Sequence, residues 1–249
     1  MKELCAVLAL LVPAAAAAGQ FSLTTGFDYT TGKYGNAVAT DIVYIPITGK
    51  YATGKWTFKL TVPYISITGP DLVTLNGRFT PITQSTVRRT DSGLGDVLAA
   101  AGYNFYSGDA LDLDAVGKVK FGTADFNKGL GTGKNDYSGE LDAYYTMGRT
   151  MLFGTLGYRV YGSPVADVVL SNAPYDAVGI TRRLNEKNKA GVMLSELKAN
   201  SIYTGDQREV TVFYAHKAAP GRKIFLHATK GLTDSSPDFG FGATITGYF

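Results

Sequence analysis

The carboxy-terminal segment 239–249 alternates between large apolar side chains and small or polar ones. Phe239, Phe241 and Ile245 occupy odd positions, glycine, threonine and tyrosine occupy the even ones, and the chain ends on Phe249. This alternation suits a β-strand with one face in lipid and the other in a polar lumen. A soluble edge strand would not expose such a row of apolar side chains. The segment therefore predicts a transmembrane β-barrel.

The amino end is typical of an exported protein. Lys2 precedes a mostly apolar run, Ala6–Ala18, whose last residues are small. The pattern predicts a secretory signal peptide over residues 1–18 and leaves residues 19–249 as one outer-membrane barrel domain. The alternative, a membrane anchor, is disfavoured because the apolar run is too short to span and Pro13 interrupts it.

Composition restricts the chemistry of the mature chain. The single cysteine, Cys5, lies in the predicted signal peptide, so no thiol remains for a disulfide, a nucleophile or a zinc site. A net charge of +3 is too small to indicate nucleic-acid binding. The 30 glycines, 16 tyrosines and 13 phenylalanines, with few helix-period patterns, favour β-strands joined by short turns.

Strand-like segments follow one another along the whole mature chain, and their connections alternate between short turns and longer loops. Outer-membrane barrels have this pattern, with the short turns in the periplasm. An antiparallel sandwich, the alternative fold, does not require it. We predict an all-β fold, an antiparallel transmembrane β-barrel of about 12 strands in an up-and-down meander. The predicted spans are 21–31, 40–51, 55–67, 92–106, 110–123, 136–147, 151–162, 174–184, 188–199, 207–217, 223–232 and 239–249.

Charged and apolar residues alternate on several of these strands, which places the charges inside the barrel. Strands 188–199 and 207–217 alternate poorly, so the pattern does not assign their faces. Hairpin geometry predicts a ladder of opposite charges across four strands. The predicted pairs are Lys118 with Asp142, Lys120 with Glu140, Asp96 with Lys120, and Arg159 with Glu140. These six residues are the candidate lumen-lining set, either as a network that fixes the register or as a constriction that selects solutes.

A barrel of this size has an intermediate bore, so a narrow path for solutes exists only if loops do not fill it. Loop 68–91 is the longest connection and carries Arg78, Arg88 and Arg89. We expect it to be a solvated external loop. The alternatives are that it folds inward or forms a basic mouth.

Catalytic and metal-binding motifs are missing from the sequence. His216 and His227 are the only histidines, and no G-x-S-x-G or H-E-x-x-H pattern accompanies them. The segment 129–134 resembles a phosphate-binding loop at first sight but lacks the required spacing, and we expect it to be an external hairpin loop. We therefore expect no catalytic residues, no metal, no cofactor and no enzymatic activity.

Several segments resemble a known family of bacterial outer-membrane barrels, the transporters of the phenol-degradation MetA-pathway type. The segments are Phe27–Gly35, Thr57–Tyr64, Ser92–Val97 and Lys118–Thr123, and the likeness covers most of the mature chain. The resemblance implies a channel and brings no catalytic residues with it. Twelve-stranded acidic-sugar porins are a second analogue, but their strongly basic lumen differs from the mixed ladder.

Together these features predict a monomeric channel of the cell outer membrane, exported through its signal peptide, for passive diffusion of small solutes through a narrow, mixed-charge lumen. The expected partners are outer-membrane lipid, a small-molecule solute, and the barrel-assembly machinery, which would recognise the C-terminal strand ending at Phe249. No nucleic-acid partner is expected. Two alternatives stay open: a lipid- or ester-modifying barrel enzyme, and a plugged structural barrel without conductance.

Overall fold

A computed structural model describes most of the chain beyond the predicted signal peptide. The described ranges are 19–34, 37–70, 72–75, 78–81, 87–162, 170–201 and 204–249, with backbone alone for 72–75 and 78–81. The signal-peptide prediction for residues 1–18 lies outside them. Within these ranges, no helix is long and apolar enough to cross a membrane.

The described residues form strands joined by turns and loops. The strands are β1 (Gln20–Gly32), β2 (Thr40–Thr53), β3 (Trp56–Pro70), β4 (Leu72–Leu75), β5 (Arg78–Pro81), β6 (Arg88–Leu94), β7 (Val97–Ser107), β8 (Leu111–Phe121), β9 (Asp136–Met147), β10 (Thr150–Val160), β11 (Ala173–Arg183), β12 (Asn188–Leu197), β13 (Gln207–Ala219), β14 (Arg222–Gly231) and β15 (Phe239–Tyr248). Each predicted span is present, with its ends moved by only a few residues.

The sheet closes on itself because its first and last strands pair. β1 hydrogen-bonds to both β2 and β15, and Leu23 lies opposite Gly247 in the closing pair. β6 and β7 occupy one position beside β3, so the described strands form a closed antiparallel barrel of 12 strands. This up-and-down topology confirms the predicted fold class.

The predicted strand 92–106 is interrupted, and its start lies further upstream than expected. Tyr64 lies opposite Leu94, whereas Thr61 lies opposite Leu98, so the strand carries one more residue than its partner. This extra residue is a β-bulge, which bends a strand and re-aims a side chain. The bulge turns the carboxylate of Asp96 inward, where it is buried.

Parts of the predicted loop 68–91 are strand. β3 runs to Pro70, β4 and β5 form a small hairpin, and β6 begins at Arg88. Arg88 forms an ion pair with Asp41, and Arg89 lies 3.2 Å from Asp91. The positive charge of Arg88 and Arg89, two of the three arginines of the predicted basic mouth, is therefore partly neutralised. The side chain of the third, Arg78, lies outside the described residues.

The outer face of the barrel is largely apolar. Leu156 is 70% exposed there, and Phe241 and Ile245 of the last strand point outward as predicted. Aromatic rings concentrate at both ends of the wall, the arrangement that marks the two membrane interfaces. Those at the short-turn end include Phe21, Tyr51, Trp56, Tyr103, Tyr145 and Phe249, and those at the long-loop end include Tyr29, Tyr64, Tyr137, Tyr158 and Phe239.

The two strands whose faces the sequence could not assign, β12 and β13, carry apolar residues on both sides in their middle part. Leu194 and Val212 point outward, while Met193 and Phe213 are buried inside against Phe153. An apolar cluster inside the barrel thus removes the polar half of the alternation. The poor alternation of polar and apolar residues on these strands therefore marks a part of the inner wall that is packed with apolar side chains instead of facing water.

The rings of this inner cluster lie over gaps left by glycine. A Cβ atom added to Gly179 would come within 2.2 Å of the ring of Phe153 and 2.7 Å of the carbonyl oxygen of Val192. The ring therefore packs against bare backbone, and the backbone oxygen cannot move aside cheaply. Gly139, in contrast, has nothing within 4 Å of the added atom.

We predict that Gly179→Ala destabilises the barrel by about 1–3 kcal/mol through overpacking. The matched control Gly139→Ala should be neutral or slightly stabilising, because alanine loses less conformational freedom than glycine when a strand forms. Urea unfolding in lipid vesicles, followed by tryptophan fluorescence, measures both changes. Equal unfolding free energies for the two variants would contradict this account of the inner cluster.

Candidate lumen site

Two ion pairs lie on the inner face of β8 and β9. Lys118 Nζ lies 2.8 Å from Glu140 Oε2, and the hydroxyl of Tyr175 donates to the same oxygen at 2.9 Å. The carboxylate of Glu140 is fully buried, so these two donors replace the water that it has lost. Tyr175 reaches it because Gly157 leaves room for the ring, which lies 2.2 Å from the position of an added Cβ.

Lys120 joins two carboxylates from different strands. Its Nζ lies 2.9 Å from Asp96 and 3.0 Å from Asp136. It also donates to the hydroxyl of Thr132 at 3.3 Å. The contact between Lys120 and Asp96 is the predicted one. Asp136 was not predicted, although it shares the inward parity of Glu140 on the same strand.

Asp142 and Asp114 lie directly opposite each other, and each carboxylate accepts from a neutral donor. The hydroxyl of Thr155 donates to Asp142 at 2.5 Å, and the amide of Asn104 donates to Asp114 at 2.7 Å. Like charges placed opposite each other destabilise a sheet. The short hydrogen bonds offset part of that repulsion.

Arg159 is held mainly among aromatic rings. Its guanidinium carbon lies 5.5 Å from the centre of the Tyr161 ring and 5.3 Å from that of Tyr175, within cation–π range. Arg159 lies opposite Ser138 on β9 rather than opposite Glu140. It therefore meets the ladder through Tyr175, which it shares with Glu140.

The predicted pairings of the ladder are thus partly wrong, because the registers of two hairpins, β8–β9 and β9–β10, differ from the predicted ones. Lys118 lies opposite Ser138, and Lys120 lies opposite Asp136. The chain leaves β8 at Phe121, earlier than predicted, so the centre of the β8–β9 hairpin is displaced. The displacement is an even number of residues, which preserves the inward face while changing the partner. Asp142 consequently pairs with Thr155 rather than with Lys118.

The loop between β8 and β9 folds onto the inner face of the wall rather than outward. Leu130 is 0% exposed and packs with Ile65 and Ala124, with Ile42 and Ile67 at the edge of the cluster. Residues 129–134 lie in the hairpin loop between β8 and β9, as predicted, but this loop folds inward instead of away from the barrel.

Two polar contacts tie this loop to the charge ladder. The backbone N–H of Ala124 donates to Asp96 at 2.9 Å, and Thr132 accepts from Lys120. The loop therefore narrows the mouth at the long-loop end. Sequence reasoning missed it because the apolar contacts of Leu130 come from β2 and β3, which are distant along the chain.

Two cavities lie inside the remaining space. One, of about 170 Å³, is lined by residues that include Lys50, Lys59, Lys223, Phe225 and Met193. The other, of about 500 Å³, opens at the short-turn end. Its charged lining residues are Lys50, Lys55, Asp112, Asp114, Arg149, Arg183 and Lys189. The site residues predicted from sequence do not include the lysines of the first cavity.

The two histidines occupy different sides of the wall. His227 points inward, and its Nε2 lies 2.8 Å from Asp28. His216 points outward near the short-turn end, where its Nδ1 lies 2.7 Å from the side-chain oxygen of Asn188. They are therefore separate and cannot serve one reaction centre. Among the described residues, no group of three or more metal-ligating side chains is assembled.

A small ionic network lies at the rim of the long-loop end. Lys198 Nζ lies 2.7 Å from Glu196 and 2.9 Å from Asp206. The N–H of Ala199 donates to Asp206, and this bond with that of Lys198 holds the pKa of Asp206 below its ordinary value. The hydrogen bonds to Glu196 and Asp206 raise the pKa of Lys198. Exposed pairs of this kind stabilise little, so the network mainly orders the loop.

Comparison with solved structures shows which fold this is. The COG4313 outer membrane channel from Pseudomonas putida F1 matches with a TM-score of 0.69 and 11% identity, over 95% of this chain and 97% of that chain. The translocator domain of the autotransporter NalP from Neisseria meningitidis matches with a TM-score of 0.57 and 12% identity, over 99% and 92%. The KdgM porin matches with a TM-score of 0.53 and 12% identity, over 92% and 99%.

At these identities the likeness shows the fold alone, which is that of outer-membrane β-barrels. No family model and no curated protein matches the chain.

We predict that Lys118 and Glu140 are energetically coupled. Lys118→Met should lower the free energy of unfolding by about 3 kcal/mol, because it leaves a buried carboxylate without its cation. In the double variant, Glu140→Gln should restore at least about 1 kcal/mol of this unfolding free energy, since the amide needs no counter-charge. The same urea unfolding of the single and double variants in vesicles tests this.

The matched control for this cycle is Lys128→Met. Lys128 is exposed in the loop between β8 and β9, so its replacement should leave the unfolding free energy unchanged. If the costs of Lys118→Met and Glu140→Gln simply add in the double variant, the pair makes no net contribution and the ladder is not a structural network.

Proposed function

We propose that the protein is a monomeric outer-membrane channel through which small solutes diffuse passively. The observation that carries the proposal is one closed sheet with an apolar outer face and charged cavities inside. Such a sheet is stable only with lipid outside and water within. Among the described residues, the only strand pair outside the barrel sheet is the short hairpin β4–β5, so no second sheet packs over the outer apolar face.

The narrow mouth sets the size of solute that such a channel admits. The loop 122–135 covers part of the long-loop end and is anchored by Leu130 and by the charge ladder. The cavity at the other end is the larger of the two. We infer that this loop limits the size of the solute. The solute meets the loop before it reaches the larger cavity at the short-turn end, which we call the vestibule.

The candidate lumen-lining residues then have two roles. Lys118 and Glu140 hold adjacent strands together, while Lys120 and Asp96 also hold the loop in place. Their charges border the path at its narrowest part. Asp142 and Arg159 belong to the same inner face, and with the others they would make the path polar rather than apolar.

The proposal also includes export of the chain and its insertion into the outer membrane. The predicted signal peptide over residues 1–18 would direct export. The last strand ends at Phe249, whose backbone N–H donates to Phe21 and completes the closing pair. We propose that the barrel-assembly machinery recognises this strand. The family type suggested by the sequence, transporters of the phenol-degradation MetA-pathway type, remains part of this proposal, supported by the similar structures named as a channel and a porin.

Two other functions are less well supported. An enzyme that modifies lipids or esters would require its acid–base group beside a nucleophile at a lipid-accessible surface. His227 instead lies inside the barrel with Asp28, and the hydrogen-bond partner of the outward His216 is an asparagine. A plugged barrel without conductance is the stronger alternative, because the loop 122–135 does enter the mouth.

Planar-bilayer recording distinguishes these functions. We predict discrete current steps from the wild-type protein and higher conductance from Leu130→Asn. Exposing Leu130 removes about 2 kcal/mol of apolar burial, which shifts the ratio of seated to released loop about 30-fold. Asn127→Ser, an exposed position in the same loop, is the matched control and should conduct like the wild type.

Silent membranes with both the wild type and Leu130→Asn, for protein whose heat-dependent electrophoretic mobility shows a folded barrel, would exclude a channel. Hydrolysis of a lipid or ester substrate that is lost in His227→Ala would favour the enzyme instead. The substitution His216→Ala, at an outward-facing position, should leave the conductance of a channel unchanged.

A further inference from the structure

Three lysines meet in the smaller cavity. Lys50 comes from β2, Lys59 from β3 and Lys223 from β14, and all three line the same space of about 170 Å³. Lys50 also lines the vestibule at the short-turn end, so it stands where the two cavities join. The closed topology brings these lysines together from opposite ends of the sequence.

These lysines differ from the lysines of the charge ladder. Lys118 and Lys120 each have a carboxylate within 3.0 Å. Within the part of the chain that the structure describes, no Asp or Glu oxygen lies within the 4.0 Å ion-pair distance of the ammonium groups of Lys50, Lys59 or Lys223. Ammonium groups held close together without a counter-charge attract an anion strongly.

The acidic residues near the lysines do not cancel this excess. Asp28 and Glu209 line the same cavity, and Asp28 is occupied by His227 at 2.8 Å, so the three lysines face one further carboxylate, that of Glu209. In the adjoining vestibule, five cationic side chains face two carboxylates. One of those carboxylates, Asp114, accepts from Asn104, and the other, Asp112, accepts from Ser107. The positive excess therefore runs from the cavity to the short-turn opening.

Hydroxyl side chains such as Thr24, Thr48 and Thr61 also line the cavity, but most of its remaining surface is apolar. Phe225, Met193 and Leu98 line it, and Lys223 Nζ lies 5.8 Å from the centre of the Phe225 ring. A volume of about 170 Å³ is similar to that of an engineered cavity of about 150 Å³ that binds benzene. The space therefore suits one ring or a short chain beside a single anionic group.

We propose that this cavity is a binding site for a small organic anion, a carboxylate on an apolar body, and that it lies on the path of the proposed channel. The carboxylate is held by Lys50, Lys59 and Lys223, and the apolar body packs on Phe225 and Met193. The inference rests on the proposed function and adds the class of solute: an organic acid is preferred over a neutral or cationic molecule of the same shape.

Cyclohexanecarboxylate, with cyclohexylmethanol and cyclohexylmethylammonium as probes of matched shape, tests the charge preference. Calorimetry on the folded protein in detergent measures binding, and bilayer recording measures how each probe blocks the chloride current. We expect the carboxylate alone to bind and to block. Lys59→Gln and Lys223→Gln should each weaken its binding about tenfold, since one charge-assisted contact is lost.

Lys230→Gln is the matched control. Lys230 lies on the same strand as Lys223 but points outward, so its replacement should leave carboxylate binding unchanged. Lys59→Arg keeps the charge and should retain most of the binding, which separates a lost cation from a misfolded barrel. Heat-dependent electrophoretic mobility verifies the fold of every variant.

The outcomes separate the site from the channel. Current steps in chloride with equal binding of the three probes would overturn the site and leave the channel intact. Binding of the carboxylate by folded protein that never conducts would overturn the channel while the anion site stands. Carboxylate binding that is insensitive to Lys59→Gln and Lys223→Gln would show that the anion lies elsewhere, and would overturn the assignment to this cavity.

Discussion

Closure of the sheet by the pairing of β1 with β15 is the constraint on which the rest of the structure depends. In lipid, an open edge would leave a row of backbone donors and acceptors without partners, and each would cost several kcal/mol. The register that sets Leu23 opposite Gly247 removes that edge. It also fixes the face of every side chain, because residues alternate strictly along each strand. Apolar residues such as Leu156 can then lie outside while Glu140 is buried within. Both placements would be unfavourable in a soluble sandwich, where the outer face of each sheet meets water and the inner face packs against an apolar core.

Closure also forces the interior to be filled in two ways. On β8 and β9 the inward residues are mostly charged, and some of the buried charges have a cation beside them, as Glu140 has Lys118. On β10 to β14 part of the filling is an apolar cluster, and rings pack over glycine, as Phe153 does over Gly179. The charged side keeps a polar surface toward the lumen. The apolar side reduces the bore without a plug. The lumen is consequently asymmetric, and a solute that passes along it meets charge on one wall and aromatic surface on the other.

Much of this could be predicted from sequence, and the limits have physical causes. Strand number, order and facing follow from a period of two, which is local information. Pairing partners require the length of each connection, and the early end of β8 at Phe121 changed the partner of Lys118 without changing its face. The inward fold of the loop could not be foreseen, because the contact of Leu130 with Ile65 is set by closure and not by the pattern within the loop. The lysine cavity was missed for the same reason. Lys59 and Lys223 are distant in sequence and become neighbours only across the closed barrel.

The two ends of the lumen are therefore suited to different kinds of selection. At the long-loop end, Lys120 lies between Asp96 and Asp136, so the mouth has no positive excess, and in the proposed channel the seated loop would restrict passage by size. Toward the short-turn end, the cations outnumber the carboxylates, and the field favours anions. In the proposed channel, a restriction by size followed by a preference for anions would admit a small solute before the positive field attracts it. Attraction at the mouth would instead hold every passing anion at the narrowest point, where a bound molecule blocks the path. Conduction requires binding weak enough for release, and the wider vestibule beyond Lys50 provides water to rehydrate the departing anion.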